Sequence, residues 1–168
     1  MNVLARSAPF LRAPPVQAYF AFGSNMNPAR VQARGLTWTR LCGAALQDYA
    51  LVFDKVAGDH DQAGHANIRF ARGEQVHGVL YELIDSQQIE RMDSFERTPI
   101  NYSREVFSVR AGSGEHLAAW TYVANSALLR ADLLPTVEYM NHLLAGAPFL
   151  PPAYCEVLRQ WPCLPKTS

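Results

Sequence analysis

Long apolar runs are missing from this sequence. None approaches the ~18 residues that a membrane span needs, so no spanning helix and no membrane partner are expected. An excess of one charge is missing too: Lys+Arg and Asp+Glu each number 15, for a formal net charge of zero. Nucleic-acid binders show basic residues clustered on one face. No such cluster is present, so no nucleic-acid partner is expected. Cysteine is scarce. Cys42, Cys155 and Cys163 are an odd, scattered set without C-x-x-C spacing. That argues against a disulfide framework and a zinc site, and predicts free thiols in a reducing, cytoplasmic setting. Internal repeats and low-complexity tracts are also lacking.

What is present suits one domain: 168 residues, 49% of them hydrophobic. Residues 1–16, "MNVLARSAPFLRAPPV", carry two arginines, no acid and no apolar signal core. They predict a disordered N-terminal extension ended by Pro14-Pro15. The single folded domain is expected over 17–168.

Along that domain, 17–22 is an apolar run stopped by Gly23, a buried strand. Asn27-Pro28 is a helix cap followed by a favoured first helical residue. It predicts a short helix over 28–34. Residues 37–54 predict one or two strands bent near Gly43 or Gln47-Asp48, and 55–66 a polar loop. "NIRFAR" and "VHGVLYEL" predict a hairpin turned at Gly73-Glu74. A second hairpin turns at Gly112-Ser113-Gly114. Asp85 or Ser86 caps a helix running to about Phe95; Pro135 and Gly146 bracket another, and "PPAYCEVLRQW" is a third. The class is α+β, a small mixed, mostly antiparallel β-barrel with flanking helices.

Two features carry chemistry. The corner Phe22-Gly23-Ser24-Asn25-Met26, squeezed between strand and helix, presents backbone N–H groups to whatever lies in front of it. The second is Glu96. At ~100° per residue it falls on the helical arc of Ile89 and Met92, with Gln87, Glu90 and Arg91 opposite. An inward carboxylate at a helix C-terminus has its pKa raised by burial and by the helix dipole. That makes it a candidate general base. The plainer alternative is an ion pair with Arg97 or Arg104, or a frayed helix end. For Asp93 a local cap or turn bond is expected. Ser24 lacks the G-x-S-x-G spacing of a nucleophile elbow, which argues against a serine hydrolase. His60 and His65 with Asp59 and Asp61 sit in a polar loop without periodicity, so a solvated loop or a lid is expected rather than a metal site. His77 and His116 read as sheet histidines, and His142 as exposed.

With these features the chain resembles the γ-glutamylcyclotransferase family. "YFAFGSNM" (19–26) matches its Tyr-Gly-Ser-Asn/Leu signature. "GVLYEL" (78–83) matches a later strand, and "MDSFE" (92–96) its Leu-Asp-x-x-Glu catalytic signature. "LQDYALVF" (46–53), "YSREVFSV" (102–109), "AWTYVAN" (119–125) and "LPPAYCEVL" (150–158) follow in family order. The resemblance implies a small mixed β-barrel and cyclisation of a small-molecule γ-glutamyl amide to 5-oxoproline, with release of an amine or amino acid. It implies Glu96 as the catalytic acid/base and no metal or organic cofactor. Tyr19, Phe20, Ala21, Phe22, Gly23, Ser24, Asn25 and Tyr102 are the expected substrate-binding residues. The corner's N–H groups would serve either the substrate α-carboxylate or the developing oxyanion. Phe22 departs from the family, which usually has Tyr there. Asn25 leans away from the glutathione-specific relatives, which carry Leu. γ-Glutamyl amino acids, γ-glutamyl amines, glutathione and a γ-glutamyl natural product remain open, as does a binding protein on the same fold that turns nothing over. Apolar surface left exposed on the C-terminal segment would predict a homodimer.

Overall fold

A computed structural model describes residues 15–165. The expected N-terminal extension therefore lies outside the described residues, except for Pro15 and Val16. The strands are β1 (Ala18–Ala21), β2 (Trp38–Val56), β3 (Gly64–Leu83), β4 (Tyr102–Ala111) and β5 (His116–Ala124). The helices are α1 (Pro28–Ala33), α2 (Gln88–Phe95), α3 (Val137–Leu144) and α4 (Pro152–Gln160).

β1 explains why its sequence is apolar throughout rather than alternating. All four of its residues are buried. It pairs antiparallel with β3, Ala18 opposite Glu82 through Ala21 opposite Val79. It pairs parallel with β5, Ala18 opposite Ala119. With strand order β1-β3-β2-β4-β5 the sheet closes into a barrel, mixed through this one parallel contact. Closure removes exposed sheet edges, and Phe20, Val79, Leu80, Tyr81, Val109 and Ala119 are fully buried on one face of the sheet or the other.

The largest departure from the sequence reading is the hairpin. "NIRFAR" and "VHGVLYEL" are one strand, β3, paired with β2 along nearly its whole length. Its turn lies at 57–63, inside the stretch expected to be a loop. Gly73 belongs to a bulge. Asp48 (φ 64) opposes Gly73 (φ 85), and the Asp48 carboxylate accepts the Gly73 N–H at 2.8 Å. The register slips there, from Gln47 opposite Gln75 to Tyr49 opposite Phe70. Glycine and aspartate, the turn signals in this stretch, also supply the left-handed backbone that a bulge needs. The β4–β5 hairpin forms as expected, with Arg110 opposite His116.

α2 lies against β5, where the Tyr122 hydroxyl donates to Ile89 O at 3.3 Å. Asp85 Oδ1 accepts the N–H groups of Gln87 (2.8 Å) and Gln88 (3.1 Å) at its start. At its end Arg97 turns left-handed (φ 50). Arg97 N–H donates to Ser94 O and Thr98 N–H to Asp93 O, a Schellman closure that makes Glu96 the last residue on the helical path. On α4 Val157 is an exposed large apolar residue. Cys42, Cys155 and Cys163 are free thiols. No helix among the described residues is long and apolar enough to cross a membrane.

Close packing of β1 on β3 requires the absence of a side chain at Gly78. A Cβ there would run into the Ala21 carbonyl oxygen and the Phe20 ring. Gly78→Ala is expected to destabilise the protein by about 1–3 kcal/mol, the cost of overpacking a filled core. Chemical denaturation, read as a lowered midpoint, checks this.

Candidate active site

The corner after β1 forms because one short strand must hand over to a helix within a few residues. Ser24–Met26 make a single 3-10 turn closed by Met26 N–H to Gly23 O at 2.9 Å. Asn27 then caps α1, its Oδ1 accepting the Ala29 N–H at 3.1 Å. Gly23 leaves room for close neighbours, since a Cβ there would lie 3.0 Å from Ala66 Cβ and 3.1 Å from the Tyr139 hydroxyl. Among the described residues, the N–H groups of Gly23, Ser24 and Asn25 donate to no backbone carbonyl.

Glu96 comes to this corner from the far end of α2. Its Oε1 accepts from Asn25 Nδ2 at 2.8 Å and from an Arg34 guanidinium nitrogen at 3.2 Å. Its ion-pair partner is therefore Arg34 at the end of α1, and neither Arg97 nor Arg104. Arg104 pairs instead with Asp93 at 3.0 Å. Asp93 also accepts the Tyr122 hydroxyl at 2.7 Å, so its carboxylate ties α2 to β4 and β5 where a local turn bond was expected. Asn25 holds the network together. Nδ2 also donates to the Tyr19 hydroxyl at 2.8 Å, Oδ1 accepts from Arg34 at 2.9 Å, and the backbone oxygen accepts the Tyr81 hydroxyl at 2.6 Å. Only one orientation of the amide presents nitrogen to a carboxylate and oxygen to a guanidinium, so the side chain is fixed.

The Glu96 side chain is 15% exposed. Burial raises its pKa above the ordinary carboxylate value, and Arg34, the Asn25 amide and Arg30 hold the rise in check. The phenols around it stay protonated. Burial pushes the Tyr139 hydroxyl up to about 12 and also raises those of Tyr19 and Tyr102 well above the ordinary phenol value. They are hydrogen-bonding groups at neutral pH, and Glu96 is the side chain of the inner cavity suited to exchange a proton.

All nine expected site residues line that cavity: Tyr19, Phe20, Ala21, Phe22, Gly23, Ser24, Asn25, Glu96 and Tyr102. Its volume is about 30 Å³. Ser24, Glu96, Tyr102 and Tyr139 also line an outer cleft of about 710 Å³ between α1, α3 and the 57–63 turn. The sequence reading missed Arg34, Lys55 and Tyr139. Tyr139 is anchored by the Thr136 cap of α3 and accepts the Ala66 N–H at 3.0 Å. Its helix was legible, its face toward the site was not. Lys55 was hidden by taking 55–66 as a loop, although "LVFDKVA" alternates.

His65 stacks on Tyr139 with ring centroids 4.5 Å apart, and burial and Lys55 lower its pKa to about 4. His60 Nδ1 accepts the Gln62 N–H at 3.2 Å. His142 is half-buried rather than exposed, 3.1 Å from the Asn27 amide. Among the described residues no group of three His, Cys, Asp or Glu side chains is placed to hold a metal ion.

Solved structures share this architecture. A gamma-glutamyl cyclotransferase superimposes with a TM-score of 0.77 at 24% identity, covering 90% of each chain. An uncharacterised protein from Homo sapiens gives 0.79 at 23% identity, covering 92% of this chain and 93% of its own. YkqA from Bacillus subtilis gives 0.74 at 24% identity, over 90% of this chain and 56% of its own. At these identities the likeness establishes the fold. No curated protein sequence matches the chain. The sequence model of the family described as gamma-glutamyl cyclotransferase, AIG2-like, matches residues 19–141, and the chain belongs to that family.

Proposed function

We propose that this protein cyclises a γ-glutamyl amide to 5-oxoproline and releases an amine or amino acid, with Glu96 as the proton-transfer group. One observation carries the reading: a largely buried carboxylate stands 2.8 Å from the amide of a corner whose three backbone N–H groups, among the described residues, donate to no backbone carbonyl. A base and an anion cradle on one small cavity are the two parts that this reaction needs.

In the proposed mechanism the glutamyl end enters at the inner cavity with one oxygen turned to the N–H groups of Gly23, Ser24 and Asn25. Fixed donors at that point stabilise negative charge without reorganising. The substrate's own α-amine attacks its γ-carbonyl, forming the ring C–N bond. Glu96 takes the amine proton and returns it to the leaving nitrogen as the amide C–N bond breaks. Because nucleophile and electrophile belong to one molecule, holding a near-attack conformer supplies much of the acceleration. Asn25 and Arg34 keep the carboxylate aimed. Tyr102, with its hydroxyl 3.4 Å from Ala66 O, and Tyr139 wall the passage to the outer cleft. The pressure on pKa favours the role, since a carboxylate raised by burial is a stronger base than one in water.

Glu96→Gln is expected to fold as the parent does and to lose at least about a hundredfold in turnover, the usual share of a general acid–base group. 5-Oxoproline is followed by mass spectrometry over γ-glutamyl amino acids, γ-glutamyl amines and glutathione. Turnover kept within tenfold would remove Glu96 from the mechanism. A parent protein that binds a γ-glutamyl compound and releases no 5-oxoproline would favour a binding role.

The pH profile follows from the direction of the shift. Glu96 acts as carboxylate and its pKa is raised, so kcat/KM should fall on acidification at a pH above the ordinary carboxylate range of about 4. An acid limb at or below that value would contradict the desolvated base. Phe22 is buried against the inner cavity without a hydroxyl. Phe22→Tyr is expected to change KM or substrate preference while leaving the thermal midpoint close to that of the parent, read by kinetics over the same panel.

A further inference from the structure

The outer cleft holds a feature that the proton transfer does not use. On β2 the inward row is Leu51, Phe53 and Lys55, continued by Ala57 just past the strand, so a lysine occupies a core position of an otherwise apolar row. Lys55 is only 3% exposed, yet it lines the outer cleft. Buried ammonium groups are rare unless paired. Among the described residues Lys55 has no ion pair. Its nitrogen lies 5.6 Å from the centre of the Tyr102 ring. The nearby carboxylates are otherwise placed. Asp54 accepts from Asn67 at 2.9 Å, and Glu96 is held by Asn25 and Arg34. Asp59 and Glu138 line the cleft without reaching Lys55 within ion-pair distance. Arg97, another cation on the same cleft, adds to the positive side. Lys55 is absent from the inner cavity, where the glutamyl end enters, and shares the outer cleft with Glu96 and Tyr102. With the glutamyl end in the inner cavity as proposed above, a charge in that position faces the part of the substrate beyond the scissile amide.

We infer that Lys55 anchors a carboxylate on the leaving side of the substrate, so that the substrates are γ-glutamyl amino acids or short γ-glutamyl peptides with a free acid, in preference to γ-glutamyl amines. The inference rests on the cyclotransferase reading for the word "leaving". The bond broken is the γ-amide C–N bond and the bond formed joins the α-amine to the γ-carbon. The proton removed from the amine returns to the leaving nitrogen, and the anchored acid departs with the released amino acid. Lys55 is a specificity residue here, and the reacting atoms do not pass through it.

Binding is measured by calorimetry on Glu96→Gln, which holds ligand without turning it over. γ-Glutamylglycine is compared with γ-glutamylglycinamide, equal in size but lacking the acid. The acid is expected to bind roughly 10- to 100-fold more tightly, the range of one hydrogen bond to a charged group. Lys55→Met in the same background should erase the difference by weakening the acid alone, and Lys55→Arg should restore part of it. Met keeps the volume of the row, and Lys55→Gln serves if Met impairs folding. Glutathione, with its acid one residue further out, separates a peptide preference from an amino-acid preference. Equal binding of acid and amide, or equal loss of both in Lys55→Met, would overturn the inference. 5-Oxoproline release by the parent protein is scored separately. A retained acid preference with no 5-oxoproline would keep the anchor and overturn the cyclotransferase reading. 5-Oxoproline from acid and amide alike would do the reverse.

Discussion

The structure depends on keeping one carboxylate mostly out of water. Removing an ion of this size from solvent costs several kcal/mol unless its lone pairs are met. At Glu96 one oxygen, Oε1, accepts from a side-chain amide and a guanidinium on the segment that follows β1. Those partners are themselves held. Asn25 is pinned by Tyr19, Tyr81 and Arg34, and the Arg34 guanidinium lies 4.9 Å from the Phe95 ring centre. The tyrosines in turn pack on one another, Tyr19 on Tyr81 and edge-on to Tyr122, each at 5.8 Å. Such linked hydrogen bonds rigidify the groups they join. The corner, the two helix ends and the aromatic layer of the barrel thus answer to a single buried charge.

Barrel closure makes that network possible. β1 is only four residues long and pairs on both edges, which fixes where the chain leaves the sheet and where the corner stands. β2 and β3 pass beyond the barrel as a long bulged hairpin. Their far turn and α3 form the wall of the outer cleft. The division into a small inner cavity and a roomy cleft follows from this layout.

Lys55 shows how the same frame can be given a charge preference. An inward strand position that would ordinarily bury an aliphatic side chain instead sends an ammonium group to the mouth of the site. The inward register is set by Leu51 and Phe53 on the same face, so the lysine is directed by the core packing of its neighbours.

Much of this was legible in the residues. The apolar run before Gly23, the Asn27-Pro28 cap and the inward arc of Ile89, Met92 and Glu96 are local patterns. Local patterns report backbone geometry directly, because periodicity and capping act within a few residues. They placed β1, α1 and α2, and with the family motifs they brought the corner and Glu96 together. What escaped was decided by contacts distant in sequence. Gly73 reads equally well as a turn or a bulge until β2 is laid beside it, and Arg34 lies 62 residues from the carboxylate it pairs with. The parallel pairing of β1 with β5, the face that Tyr139 presents and the partner of Asp93 are likewise settled by which elements pack together. The sequence by itself determined β1, the helices, the β4–β5 hairpin, the α+β class and the chemistry within reach. Only the tertiary structure decided which charges share a cavity, because burial and ion pairing depend on distances that no local pattern encodes.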